Sequence, residues 1–259
     1  MRSQRLPGIN TPKIVFFSCL TQVNGRFFME YSDFERILSA KRMQRYKDAA
    51  NGDTRKAMAL YRYNLRLSQE MFTIVSCFEV ALRNAIDGLL VPSLGNNWLR
   101  DSVQENGIFS NGRMNETKKI IDKAYVRLNR QGIYSHSKLI AEMEFGVWKY
   151  MFSSLQYRAT GQCLLRAFPN KPRSSAAIQY NNTYIFNELD KVNSLRNRIA
   201  HHEPICFRLH ESEIDTRYII NEYQKIQTLF SWMGIDSHSM LYGIDHVQSV
   251  CAKISSLKG

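Results

Sequence analysis

The chain has 259 residues, enough to bury a sizeable core as one domain or two, and its 44% hydrophobic and 22% charged content is ordinary for a globular protein. Its formal net charge of +12 is not ordinary; it marks a surface that favours polyanions, nucleic acid first and an anionic membrane surface second. The longest clean apolar run near the start, residues 14–20, is too short to cross a membrane. Five cysteines at 19, 77, 163, 206 and 251 are odd in number and scattered, with no zinc-like spacing, so free thiols in a reducing, cytoplasmic setting are expected.

Residues 1–30 hold Pro7, Gly8, Pro12 and Gly25 around short β-leaning runs at 14–17 and 26–29, which predicts an extended arm or a short hairpin. Arg2, Arg5 and Lys13 precede the first apolar run. The segment after it lacks a small-residue cleavage site, so it reads as a strand or arm and not as a signal peptide. Ser32-Asp33-Phe34-Glu35 is a capping box for a helix to about residue 50. After the Asn51-Gly52-Asp53 turn, a helical pattern runs to about residue 90 before Pro92, long enough to be two helices meeting near Asn64. Residues 94–112 read as an irregular loop carrying Trp98. Helices follow at about 115–130 and 135–155, then a loop at 168–175, and further helices at 211–233 and about 239–256. The expected fold is all-α, a single helical domain over residues 31–259 with a core of about 54–232 and a small N-terminal arm.

Between the last loop and residue 205 lies the most informative stretch. Ile185, Leu189, Val192, Leu195 and Ile199 recur at helical spacing and make one buried stripe, which Pro204 ends. At about 100° per residue, Arg196 falls near 20° from Ile185, inside that stripe. A guanidinium there needs a carboxylate partner, such as Glu203 or Glu79, or a cleft where an anion arrives. Asn197 and His201 are four apart and share the neighbouring face.

Arg196-Asn197-Arg198-Ile199-Ala200-His201 matches the R-N-x-x-x-H signature of HEPN-domain ribonucleases. The run Leu195-Arg196-Asn197-Arg198-Ile199-Ala200-His201-His202-Glu203-Pro204-Ile205 resembles the Abi-like (abortive infection) branch of that superfamily. Leu60-Tyr61-Arg62-Tyr63-Asn64, Phe78-Glu79-Val80-Ala81-Leu82-Arg83-Asn84-Ala85 and Ala141-Glu142-Met143-Glu144-Phe145-Gly146-Val147-Trp148 resemble further segments of the branch in the same order, over roughly residues 35–232. The resemblance implies a HEPN-like helical bundle, a homodimer whose two motif helices face one cleft, endoribonuclease activity without metal or cofactor, and a toxin or anti-phage role. An antitoxin or regulator protein is a further partner it allows.

The residues give that chemistry independent footing. Cleaving RNA through its own 2′-OH needs a base, an acid and a cation for the charge on the phosphorane. His201 suits the proton work, Arg196 the phosphate, and Asn197 the fixing of the imidazole tautomer. His202, Glu203, Glu79 and Arg83 are supporting candidates: His202 as a second proton carrier, Glu79 as a holder of Arg196, and Glu79 with Arg83 as an i,i+4 salt bridge. Adjacent His201 and His202 point about 100° apart and make a poor chelate. Lys119, Lys123, Arg127 and Arg130 form a basic stripe, either a solvated face or an RNA contact, and Lys41, Arg42, Arg45 and Lys47 form a second cluster. His136, His210, His238 and His246 read as structural. The rival readings are a non-catalytic RNA-binding module and a structural helical dimer.

Overall fold

A computed structural model describes residues 20–23, 26–110 and 112–258. It opens on a two-stranded antiparallel hairpin, β1 (Leu20–Val23) against β2 (Arg26–Met29), with Leu20 opposite Met29 and Val23 opposite Arg26. The run at 14–17 lies outside the described residues. After the hairpin the regular elements are helices, joined by loops that include one isolated antiparallel bridge, Phe207 with Ile214.

The expected 32–50 helix is two helices, α1 (Tyr31–Leu38) and α2 (Ala40–Ala49). Ser39 turns the corner with φ 77°, and its hydroxyl accepts the Arg42 N–H at 3.3 Å. Glu30, not Ser32, occupies the N-cap of α1, and no side chain caps it. The corner lets Phe34 lie edge-on to Tyr61 at 5.4 Å while Tyr46 packs on the same ring at 5.1 Å.

The next helix, α3 (Thr54–Leu94), is the mast of the molecule. Asp53 caps it by accepting the Lys56 N–H at 3.0 Å, and Gly95 ends it with φ 90°. It runs unbroken through Asn64, because that polar side chain finds its partners outside the helix. Pro92 sits in the last turn, where its missing N–H costs the exposed Gly88 carbonyl one bond and breaks nothing. Met71, Val75, Phe78, Leu82 and Ile86 are buried.

The expected loop at 94–112 is packed around a one-turn helix, α4 (Trp98–Asp101). Trp98, Leu99, Val103 and Phe109 are buried, and Asp87 of α3 accepts both the Trp98 indole N–H and His136 Nε2 at 2.7 Å. A 3₁₀ turn (Gly112–Met114) leads into α5 (Asn115–Arg130), and α6 (His136–Glu142) starts from its Ser135 cap. The single helix predicted over 135–155 is thus three, α6 followed by α7 (Phe145–Tyr150) and α8 (Ser154–Ala159). The reason is burial: Phe145, Val147, Trp148, Lys149, Met151 and Phe152 are all inside, and one straight helix has only one buried stripe.

A 3₁₀ turn (Leu164–Ala167) and a long loop precede α9 (Asn182–Ala200); α10 (Arg217–Trp232), α11 (Ser237–Met240) and α12 (Val247–Ser255) complete the domain. α1, α2, α4, α7, α9, α10 and α12 all pack against α3. Cys77, Cys163, Cys206 and Cys251 are free thiols, and no described helix is long and apolar enough to cross a membrane.

Gly107 is the tightest point in the 102–110 loop. A Cβ there would lie 2.4 Å from the carbonyl oxygens of Asp101 and Ser102. Gly107→Ala should therefore lower unfolding free energy by about 2–3 kcal/mol in urea denaturation, whereas Gly112→Ala, with open space around its Cβ, should be close to neutral.

Candidate active site

α9 starts at Asn181, whose side-chain oxygen accepts the Tyr184 N–H at 3.0 Å, and it buries Ile185, Leu189, Val192, Leu195 and Ile199 as the period predicts. It stops at His201. His202 then takes a left-handed φ of 55°; its N–H reaches the Ile199 carbonyl at 3.0 Å and the Glu203 N–H reaches the Arg198 carbonyl at 2.9 Å. These two reversed bonds make a Schellman end, with histidine where glycine is usual. An Arg198–Glu203 ion pair at 3.2 Å closes it, and Arg198 also donates to the Pro204 carbonyl at 3.3 Å. Glu203 is thereby held by Arg198, and not by Arg196.

The turn is fastened from outside. Asn64 of α3, only 3% exposed, accepts the N–H groups of Ile205 and Cys206 on one side-chain oxygen at 2.9 and 3.2 Å. From α2, Arg42 donates to the His202 carbonyl at 2.9 Å. Arg45 donates to the carbonyls of Glu211 and Arg208 at 2.8 and 2.9 Å and lies over the Phe207 ring at 4.7 Å. Within the second basic cluster, then, Arg42 and Arg45 clamp backbone, and Lys47 sits over the Tyr31 ring at 5.7 Å. Burial pushes the Cys206 thiol up to about 12, so it is a packing group and not a nucleophile.

Arg196 is half-buried, at the flank of the apolar stripe and not at its centre, and its Nη1 donates to Asn197 Oδ1 at 3.5 Å. Asn197 touches His201 through the backbone, the His201 N–H meeting the Asn197 carbonyl at 2.9 Å; its side-chain oxygen faces Arg196 instead of the imidazole. Asn197, His201 and His202 are exposed. Among the described residues no carboxylate forms an ion pair with Arg196. Its charge acts on Glu79 of α3. Burial raises the Glu79 carboxyl above its ordinary value, Arg196 and then Arg83 pull it back, and Glu144 raises it further. The expected Glu79–Arg83 ion pair is not formed among the described residues, and Arg83 Nε is buried without a partner. Glu79 lies between two arginines and is bonded to neither. The fold thus sets Arg196, Arg83 and Glu144 around Glu79, while Asn197 and His201 adjoin Arg196 along α9.

Two fixed points set the direction of α9 on α3: Arg196 near Glu79, and residues 205–206 on Asn64. The helices are antiparallel there. Leu65, Phe72 and Glu79 are seven apart, so each steps by only about 20° around α3. Leu65 and Phe72, 47% and 44% exposed, therefore continue the Glu79 stripe alongside the motif's turn.

Lys119, Lys123, Arg127 and Arg130 face solvent, opposite buried Ile121, Ala124 and Leu128. Lys119 pairs with Glu116 at 3.0 Å and Arg127 pairs with Glu142 of α6, while Lys123 and Arg130 have no ion-pair partner among the described residues. The stripe lines a cleft of about 1390 Å³ between α5 and α7. No three His, Cys, Asp or Glu side chains gather to hold a metal ion among the described residues, the His201-His202-Glu203 run included.

Asn64 is absent from the sequence-derived site although its segment stands out; its bond spans more than 140 residues, beyond any local pattern.

A family model described as Abi-like protein matches residues 19–206, well over half the chain. The match starts and ends earlier than the 35–232 span of the motif resemblance, and it closes at Cys206, on the turn that Asn64 holds. No curated protein and no solved structure matches.

Asn64→Ala leaves two buried N–H groups unsatisfied and should cost about 2–4 kcal/mol in urea denaturation; a cost near zero would mean that water replaces the amide. His202→Gly should do the reverse, relieving the left-handed backbone and raising stability by about 0.5–1 kcal/mol in the same measurement.

Proposed function

The chain belongs to the Abi-like protein family, and from that premise we propose that it is a metal-independent endoribonuclease of HEPN type, an abortive-infection effector acting on RNA in the cytoplasm as a homodimer. What supports this reading best is Arg196: a half-buried cation with no ion-paired carboxylate among the described residues, one turn from a solvent-facing His201. Such a guanidinium has its hydrogen-bonding fork available for the non-bridging oxygens of a phosphodiester.

In the proposed reaction the 2′-OH loses its proton to one imidazole and its oxygen attacks the adjacent phosphorus. The bond to the 5′-oxygen breaks as a second group delivers a proton to that oxygen, leaving a 2′,3′-cyclic phosphate and a 5′-hydroxyl. Arg196 offsets the charge that builds on the equatorial oxygens. One His201 cannot give and take a proton at the same moment, so the partner subunit's His201 supplies the second role. The exposed Leu65 and Phe72 beside the motif's turn give a second copy an apolar surface on which to bring the two turns together. Glu79 is a positioning residue, drawing Arg196 toward α3 by charge without an ion pair forming among the described residues.

His201→Ala and Arg196→Ala should each abolish cleavage of total RNA, a loss of 10³-fold or more on the order expected for a proton-transfer or oxyanion group. Helical circular dichroism and dimer mass should be unchanged, and wild-type cleavage should persist in EDTA. Mapping fragment ends checks the chemistry: robust cleavage by either variant, ends other than 2′,3′-cyclic phosphate, or loss of activity in EDTA would overturn it.

A further inference from the structure

We infer that the cleft between α5 and α7 is the track along which single-stranded RNA reaches the motif helix, with phosphates on α5 and bases toward the apolar floor. The inference rests on the nuclease reading above and adds the substrate class and its path.

Three observations carry it. The first is where the charge sits. Residues 113–130 hold six cations (Arg113, Lys118, Lys119, Lys123, Arg127, Arg130) against two carboxylates (Glu116, Asp122), a net +4 of the chain's +12. Successive members of the Lys119, Lys123, Arg127 row stand about 6 Å apart along the axis, a stagger suited to the repeat of an extended nucleotide chain. Among the described residues Lys123 and Arg130 have no ion-pair partner to release before a phosphate can bind.

The second observation is the floor. Ile120, Val126 and Tyr150 line the same cleft and are exposed, Tyr150 by 48%. Apolar surface and a half-exposed aromatic ring, which has the Lys149 ammonium over it at 4.5 Å, suit a ligand that shows both phosphates and base faces, as an unpaired strand does and a duplex does not. At about 1390 Å³ the cleft also exceeds the ~300–1,000 Å³ of a small-molecule pocket.

The third is where the cleft leads. α7 is its far wall and also the wall of the motif helix: Lys149 pairs with Asp190 of α9 at 2.7 Å, and the Tyr150 ring meets Phe186 of α9 at 5.7 Å. Glu144, at the start of α7, lines the cleft and shares the field of Glu79 with Arg196. Glu144 repels phosphate from the α7 side, while Glu142 of α6 is taken up by Arg127, which leaves the α5 row as the path for the backbone.

The test is binding of a fluorescein-labelled 16-nucleotide single-stranded RNA, and of the same sequence as a duplex, by full-length protein carrying His201→Ala to prevent cleavage. Anisotropy is read from 50 to 300 mM KCl. The single strand should bind at least tenfold tighter than the duplex. Adding Lys123→Gln and Arg130→Gln should flatten the slope of log affinity against log salt by about 1.4, at ~0.7 for each phosphate no longer neutralised. Tyr150→Ala should weaken binding about tenfold by removing the stacking ring, and Tyr150→Phe, which keeps the ring and its packing on Phe186, should bind as the parent does. Equal affinity for the duplex, an unchanged salt slope, or Tyr150→Phe as weak as Tyr150→Ala would overturn the inference; an unchanged slope would turn the cleft toward a protein ligand. The two readings fail separately. If the Gln variants in an active background cleave and bind as wild type does, the track is wrong and the nuclease stands. If binding behaves as expected while wild-type protein yields no cyclic-phosphate ends, the track stands and the nuclease falls.

Discussion

One buried amide oxygen governs the geometry of the candidate site. Asn64 is shut away from water, so its side chain has to find protein donors, and the donors it finds are the first two free N–H groups after Pro204. A helix end has no intrinsic reason to stop where α9 stops. The Schellman bonds at Ile199 and Arg198 end it locally, Pro204 forbids its return, and Asn64 fixes the outgoing strand against α3. His201 is left on the last turn with its ring in solvent, and Arg196 is left one turn back against Glu79. Without that amide, two buried donors would pull toward water and the turn would have no single position.

The charges around Arg196 follow from the same placement. Glu79 on a half-buried face of α3 is starved of solvent, and two arginines nearby do not fully restore its acidity. A close salt bridge would have silenced the guanidinium, and none forms with Arg196 among the described residues. The rest of the motif's charge is absorbed locally, Arg198 by Glu203 and by the ring of Tyr218 at 5.1 Å. One cation out of the two in Arg196-Asn197-Arg198 is structural and the other is left available.

Periodicity made the helices visible, because one-sided burial writes a 3.6-residue repeat into α3, α5, α9 and α10. It failed where burial is not one-sided. The stretch from Phe145 to Phe152 is buried almost throughout, so the 135–155 segment reads as one long helix when it is three short ones. The 94–112 segment is rich in Gly, Asn and Ser, yet Trp98 and Phe109 anchor it to the core, and no local pattern reveals that Asp87 waits for the indole. Arg196 shows the limit at a single residue. Its angle on the helix put it inside the stripe, whereas it sits half-buried at the flank, because how deep it lies depends on α3. The roles of Arg42 and Arg45 were equally out of reach, since a cation aimed at distant backbone looks in sequence like any solvated one.

The corner at Ser39 gives the domain a lever. α2 is joined to α1 through a residue whose positive φ few side chains favour, and its Arg42 grips the carbonyl of His202, immediately after His201. Any load that rotates α2 about that corner is delivered to the end of the motif helix through one hydrogen bond of 2.9 Å. The amino-terminal corner and the motif's turn, far apart along the chain, are mechanically a single joint.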